Sequence, residues 1–293
     1  MNERRALVLG LVAVACWSTV ATGFKLGLRL VEPLQLLLLG TLVSTLVFWC
    51  AALPRSRWRI SFRSIAIAAV AGAMNPCAYY LVLFEAYDRL PAQIAQPLNY
   101  TWAITLAILA WPVLGQRLSI RTLSGILLSY AGVVVLLTGG RLDAPPQLDW
   151  TGVALALAST VIWAGYWLMN TRVSIDPIGL MAWSFTFGFL FVGALCLLGP
   201  GLPPLSGEIA FYGLWVGLVE MGITYLVWQR ALRLTRNAGR IGQLIFLAPF
   251  LSFGLIGAVL GETIRATSLI GLAIIVTGLA VTRPGATTSA ANS

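Results

Sequence analysis

Of 293 residues, 59% are hydrophobic and only 10% are charged, too few charges to cover a water-facing surface of that size. Nineteen basic against ten acidic residues give a net charge of +9, but the basic residues sit in short gaps between apolar runs, which points to membrane topology rather than to nucleic acid. Histidine is absent and the cysteines (Cys16, Cys50, Cys77, Cys196) stand singly in apolar stretches, so metal ligation, disulfides and a bound cofactor are not expected.

Ten apolar spans follow in order, each about 17 residues or longer. They run Ala6 to Leu28, Pro33 to Leu53, Ser64 to Ala86, Pro91 to Pro112, Thr122 to Gly139, Trp150 to Asn170, Ile178 to Leu198, Ile209 to Ala231, Ile241 to Leu260 and Ala266 to Thr282. The expected fold is all-α. The loop 141–149, with Pro145 and Pro146, separates a first unit, 1–140, from a second, 150–283, and the small polar tail 284–293 is expected to be disordered. The first span lacks an obvious cleavage site and reads as an uncleaved helix. If the N-terminus is cytoplasmic, fourteen of the nineteen basic residues, from Arg4 and Arg5 to Arg283, fall on its side, against Lys25, Arg29, Arg89, Arg141 and Arg265 opposite. Both termini are then cytoplasmic, in a bacterial inner membrane.

The fourth span is uncharged but polar in its first half, with Gln93, Gln96, Pro97, Asn99, Tyr100 and Trp102. Unpartnered amides in hydrocarbon are costly, so something polar should face them. Sliding the chain against itself by 146 residues sets Trp17 on Trp163, Tyr79 on Tyr225, Val113-Leu114-Gly115 on Val259-Leu260-Gly261, Gly125 on Gly271 and Gly132 on Gly278, without a gap. Five spans per copy is an odd number, so the copies should enter the membrane oppositely. Such inverted five-helix repeats place a substrate cavity near the midplane.

The two runs of five spans, the mid-helix tryptophans of the first and sixth, and the segments Leu-Gly-Gln-Arg-Leu-Ser (114–119) and Leu-Gly-Glu-Thr-Ile (260–264) resemble the EamA-type drug/metabolite transporter superfamily. Within it, Asn99-Tyr100-Thr101-Trp102 is similar to the N-Y-x-W-P segment of YddG-type aromatic amino acid exporters, and Tyr225-Leu226-Val227-Trp228 suits their eighth helix. Ala103 replaces the proline, and Gln116 stands where the family prefers Glu. The resemblance implies a ten-helix carrier moving small metabolites outward.

Trp49, Trp58, Trp111, Trp150 and Trp228 lie near span ends and read as interfacial belts, whereas Trp17, Trp102 and Trp163 fall near midpoints. Together with Asn75, Tyr79, Gln96, Asn99, Tyr100, Tyr225 and Gln243, these three form the expected substrate site, whose rings and amides suit a flat apolar cargo with a polar head. Asn75 is one turn before Tyr79, beside Pro76; a kink with a satisfied amide is the plainer reading. Glu220, the one acid near mid-span, is either a proton carrier, a partner for a substrate ammonium, or a neutral structural acid near Thr224. Glu85 and Lys25 can snorkel and need no special role. Gly213/Gly217 and Gly257/Gly261 read as close-packing pairs.

The expected protein is therefore a secondary transporter working by alternating access as a single chain in lipid. Its cavity is lined by helices one, three, four, six, eight and nine. Nucleotide-sugars, drugs or sugar derivatives remain the alternative cargo, although anionic cargo would want basic residues at mid-depth, and none is found. No phosphate-binding loop motif is present, which excludes direct ATP drive in this chain, and an enzyme would need an acid, His or Cys cluster at one depth.

Overall fold

The computed structural model describes residues 2–56, 58–115, 118–143, 146–235 and 238–282. The tail expected to be disordered, and Gln116, lie outside them. Ten apolar helices follow one another: α1 (Glu3–Leu28), α2 (Pro33–Ala52), α3 (Phe62–Arg89), α4 (Ala92–Leu114), α5 (Ile120–Thr138), α6 (Trp150–Asn170), α7 (Pro177–Leu198), α8 (Gly207–Leu234), α9 (Ile241–Leu260) and α10 (Ala266–Thr282). Nine of them are long and apolar enough to cross a bilayer, and α10 is shorter.

Local chemistry sets their ends. Ser61, Ser119, Asp149, Asp176 and Ser206 accept hydrogen bonds from first-turn amides of α3, α5, α6, α7 and α8, satisfying donors that a helix start leaves free. Pro33 and Pro177 occupy first-turn positions where no amide donor is needed. Gly115 and Gly261, both at φ +69°, close α4 and α9 in the left-handed conformation that glycine adopts without a Cβ penalty. Gly261 is thus a helix stop, and the expected packing role for Gly257/Gly261 does not hold: nothing lies within 4 Å of a Cβ at Gly261. Gly213 and Gly217 do pack closely, against Leu39 and Val43 of α2.

The most extensive helix pairs follow a pattern that survives exchanging the two runs of five. The α1–α8 and α1–α9 contacts correspond to α6–α3 and α6–α4, α2–α8 corresponds to α7–α3, and α2–α7 and α5–α10 map onto themselves. The α5–α10 crossing brings backbone against backbone. A Cβ at Gly132 would stand 2.7 Å from the Gly271 carbonyl, one at Gly278 would stand 2.5 Å from the Gly125 carbonyl, and the Ser129 hydroxyl donates to the Ile275 carbonyl at 3.0 Å. Residue numbers rise along one helix as they fall along the other, so the two helices run antiparallel. Where no hydrophobic effect drives helices together, such small-residue contact supplies the packing.

Contacts at the helix ends fix which ends share a face. At the face carrying the N-terminus, the Asn2 amide donates to the Leu234 carbonyl (3.0 Å), Arg121 donates to the Val281 carbonyl (3.0 Å), and Arg172 donates to the Val113 carbonyl. At the opposite face, Arg89 meets Asp149 at 3.3 Å and Gln35 donates to carbonyls of the 200–202 turn.

Gly132→Leu should lower thermal stability by about 1–3 kcal/mol or more, because the added side chain meets backbone that cannot move aside. Gly254→Leu, where the space is open, should be neutral. Melting curves of the detergent-solubilised protein check both.

Candidate functional site

Five of the helices are interrupted partway along their length. α3 breaks over Ala73–Ala78, where Asn75 leaves helical geometry (φ −144°, ψ 116°) ahead of Pro76. α8 widens over Val216–Glu220 and turns at Gly222 (φ −112°, ψ −91°), at the position 146 residues after the α3 break. α4 is interrupted at Thr101, whose hydroxyl turns back onto the Leu98 carbonyl, and α9 tightens over Leu244–Leu247 at the corresponding place. α1 is interrupted too, at Thr19, just after Trp17. Irregular backbone at membrane depth is tolerated only where protein or a cavity covers it, so these breaks belong together in the interior.

The rings gather there. Trp163, 8% exposed, stacks on Tyr79 at 4.6 Å, and Trp17 meets Tyr225 edge-on at 5.8 Å; each pair becomes the other when the two copies are exchanged. Trp163 also lies 6.4 Å from Tyr225 and 6.5 Å from Trp102, joining the pairs into one cluster. The Tyr79 hydroxyl donates to Asn99 Oδ1 (3.3 Å), and Asn99 Nδ2 donates to Ser159 (3.0 Å). Tyr100 is half-buried against the same core. Asn75 (1% exposed) and Gln96 (2%) are buried with Oδ1 and Oε1 lacking any partner; the kink at Asn75 is present, and its amide, which also interacts with Tyr166, is satisfied only in part.

Glu220 takes its hydrogen bond from Tyr80, at 2.9 Å on Oε1, and Oε2 is buried without a partner. Thr224, expected beside it, does not bond it. Tyr80 is also 3.3 Å from the Tyr225 hydroxyl. Sequence reasoning passed over Tyr80 because its partner is 140 positions away; its adjacency to Tyr79 was the available signal.

Two further expectations change. Gln243 is exposed and stands apart from the cluster. Ile241, two residues earlier, packs inward against Ala6 and Ala231, and two helical steps of about 100° each carry Gln243 to the other side. Trp228, assigned to an interfacial belt, instead packs on Trp17 at 5.3 Å, whereas Trp111 and Trp150 are exposed as belts require.

The two faces differ. At the N-terminal face, α3 and α4 part over α6 to leave a cleft of about 620 Å³ with apolar walls, including Ile67, Leu109 and Leu168, and with Arg63 and Arg172 at its rim. At the related place opposite, Trp215 of α8 fills the gap against Gly23 of α1, where a Cβ would come within 2.1 Å of the ring. The residue 146 positions before Trp215 is Ala69. That closed face is also tied: Glu262 accepts from the Ala92 amide (2.8 Å) and from the Gln93 amide and side chain (3.3 Å each), while Gln93 Oε1 accepts from the Arg265 amide and Ser268. Lys25 does not snorkel; its ammonium donates to the Tyr87 and Leu90 carbonyls at the end of α3 (2.7 and 3.1 Å).

A bundle of membrane-length helices, broken around buried rings and unpartnered polar atoms, is a build that carries small molecules through lipid. Residues 4–138 and 150–283 each match the EamA-like transporter family, and the chain belongs to that family. It is 24% identical over 282 residues to the uncharacterized transporter YvbV of Bacillus subtilis, covering 95% of this chain and 91% of that one. An uncharacterized transporter of Archaeoglobus fulgidus is 25% identical over 261 residues, covering 85% and 86%. A solved crystal structure of a protein at 24% identity shares the fold over 96% of both chains, with a TM-score of 0.67.

Tyr80→Phe should cost about 1–3 kcal/mol by leaving the Glu220 carboxyl without a donor. Repeated in a Glu220→Leu background, the same change should cost much less. A double-mutant cycle read by thermal melting gives the difference.

Proposed function

We propose that this transporter exports amino acids, aromatic ones first, by alternating access across the bacterial inner membrane. The observation that carries this reading is the crossed pair of ring contacts, Trp17 on Tyr225 and Trp163 on Tyr79, beside the unpartnered polar atoms of Asn75, Gln96 and Glu220. Aromatic faces suit a flat apolar side chain, and the amides and carboxyl suit an amino acid head group. Trp17, Tyr79, Tyr225 and Trp163 form the ring wall, Trp102 and Tyr100 extend it, and Asn75, Gln96 and Asn99 supply polar contacts.

Two oppositely inserted repeats, 1–140 and 150–283, supply the mechanism, with 141–149 as the connection. The matching of the most extensive helix pairs under exchange and the antiparallel α5–α10 crossing of equivalent helices support that arrangement. The excess of basic residues supports a cytoplasmic N-terminal face and cytoplasmic termini. On that orientation the cleft below α3 and α4 opens inward. Trp215, Lys25 and the Glu262–Gln93 cluster close the outer side. Export then requires Trp215 to leave Gly23 and Glu262 to release the start of α4 while the inner cleft shuts. The chain acts as one subunit with lipid around it.

Full-length protein in liposomes loaded with labelled amino acids tests the reading. Tryptophan or phenylalanine should show counterflow, and Trp163→Ala or Tyr79→Ala should cut it at least tenfold while the protein stays folded by melting. Unchanged flux of every amino acid in both variants would discard the site.

A further inference from the structure

The cleft between α3 and α4 stands apart from the ring cluster. None of the cluster lines it, and at its deep end Met74 of α3 lies against Gly165 of α6, where a Cβ would come within 3.2 Å of the methionine methyl. Ile67 and Val70 of α3, Leu109 of α4 and Leu168 of α6 make it apolar from mouth to floor. Val70 is two helical turns beyond Arg63, a depth of about 10 Å. Val70 and Val113 are 55% and 39% exposed, so both flanks of the mouth are apolar surface as well. At the opposite face the protein fills the related gap with Trp215, whereas here about 620 Å³ is left for another occupant. Polar cargo would meet no polar side chain between rim and floor. Unfilled apolar space forfeits dispersion contacts, and a bilayer supplies them as acyl chains.

The rim adds a requirement of charge. Arg63 stands in the first turn of α3 and Arg172 just after the end of α6, both exposed, and no acid is among the residues that line the cleft. One Nη of Arg172 donates to the Val113 carbonyl, which fixes the guanidinium against α4 and leaves the others of its five donors for a ligand. Among the described residues, neither arginine forms an ion pair. The chain has no acidic residue between Glu32 and Glu85, while Arg55, Arg57, Arg59 and Arg63 crowd the approach to α3. Two guanidinium groups over an apolar shaft match a phosphate head group over an acyl chain.

We propose that this cleft binds an anionic phospholipid of the cytoplasmic leaflet. The phosphate lies between Arg63 and Arg172, and one acyl chain runs down the apolar walls toward Gly165. The chain acts as a wedge: while it is in place α3 and α4 stay parted, so bound lipid favours the inward-facing arrangement by as much as its affinity differs between the two arrangements. That consequence, unlike the site, rests on alternating access as the mechanism. The acyl chain must withdraw each time the inner cleft shuts, so the anionic lipid content of the membrane sets how readily the carrier turns over.

Native mass spectrometry of the full chain, delipidated in detergent and titrated with dioleoyl phosphatidylglycerol or phosphatidylcholine, tests the site. The parent should prefer the anionic lipid by about twentyfold, from about fivefold for each arginine beside the head group, and added salt should narrow the difference. Arg63→Gln, at an exposed position, should cut the preference to about fivefold with an unchanged melting temperature. Ala66→Trp fills the cleft but keeps both arginines, and should weaken both lipids by about tenfold. In liposomes, adding phosphatidylglycerol to phosphatidylcholine should slow counterflow of labelled tryptophan by about threefold in the parent and not in either variant. Equal affinity of the parent for the two lipids, or affinities unchanged in both variants, would overturn the proposal. So would inorganic phosphate stabilising the protein as well as phosphatidylglycerol does, which would put a free anion at the rim, or tryptophan binding lost in Ala66→Trp without any lipid preference, which would make the cleft a cargo vestibule. Lipid preference with unaltered counterflow would overturn the wedge and keep the site. Absence of any amino acid flux would overturn the cargo reading and leave the lipid site standing.

Discussion

Backbone hydrogen bonding in a lipid solvent governs this molecule. A helix crossing hydrocarbon satisfies its own amides and carbonyls, and a broken one does not, so each break must be covered by protein or face a polar space. Here the breaks in α3, α4, α8 and α9 come at positions related by the internal repeat, and the break in α1 follows directly after Trp17. Collecting them in one place brings the rings, the buried amides and the carboxyl of Glu220 together. The candidate site is the consequence of where the chain does not remain helical.

The remaining helices make that interior possible. α5 and α10 cross with the glycines of each seated against the backbone of the other and against Ser129, Leu136 and Ile275. α2 and α7 receive the glycines of α8 and α3 in the same manner, through Gly217 against Val43 and Gly72 against the Ser184 carbonyl. A packed scaffold of this kind shifts between discrete arrangements more readily than it deforms, as the proposed two-state access would require. One source of the asymmetry between the faces is a substitution in an otherwise repeated plan: Trp215, packed on Gly23, stands at the position that corresponds to Ala69.

Side-chain partners were legible in sequence when they recurred with the repeat, and otherwise not. Trp17, Tyr79, Trp163 and Tyr225 stood out because rare residues matched at one offset, and the structure brings all four together. Tyr80, Trp228 and Glu262 carried no such mark. Tyr80 looked like a neighbour of the chosen tyrosine, Trp228 like a residue at a span end, and Glu262 stood within the segment 260–264 with no partner assigned to it. Lys25 was misread for a related reason: proximity to a helix end suggests water, but the end of α3 offers it carbonyls instead. Gln243 failed in the opposite direction, because polarity within an apolar run says nothing about which way a helix face turns.

Composition and span length by themselves determined an all-helical membrane protein, because apolar runs of that length suit helices that satisfy their own backbone in lipid, whereas the strands of a closed barrel are about half as long. The repeat and its flanking motifs determined the family. The tertiary structure alone decided which oxygen of Glu220 is held and which is left unpartnered, which face of the bundle is parted, and which side chains fill the other. Those properties depend on contacts between residues more than a hundred positions apart, and local pattern carries no information about distances across the packed interior.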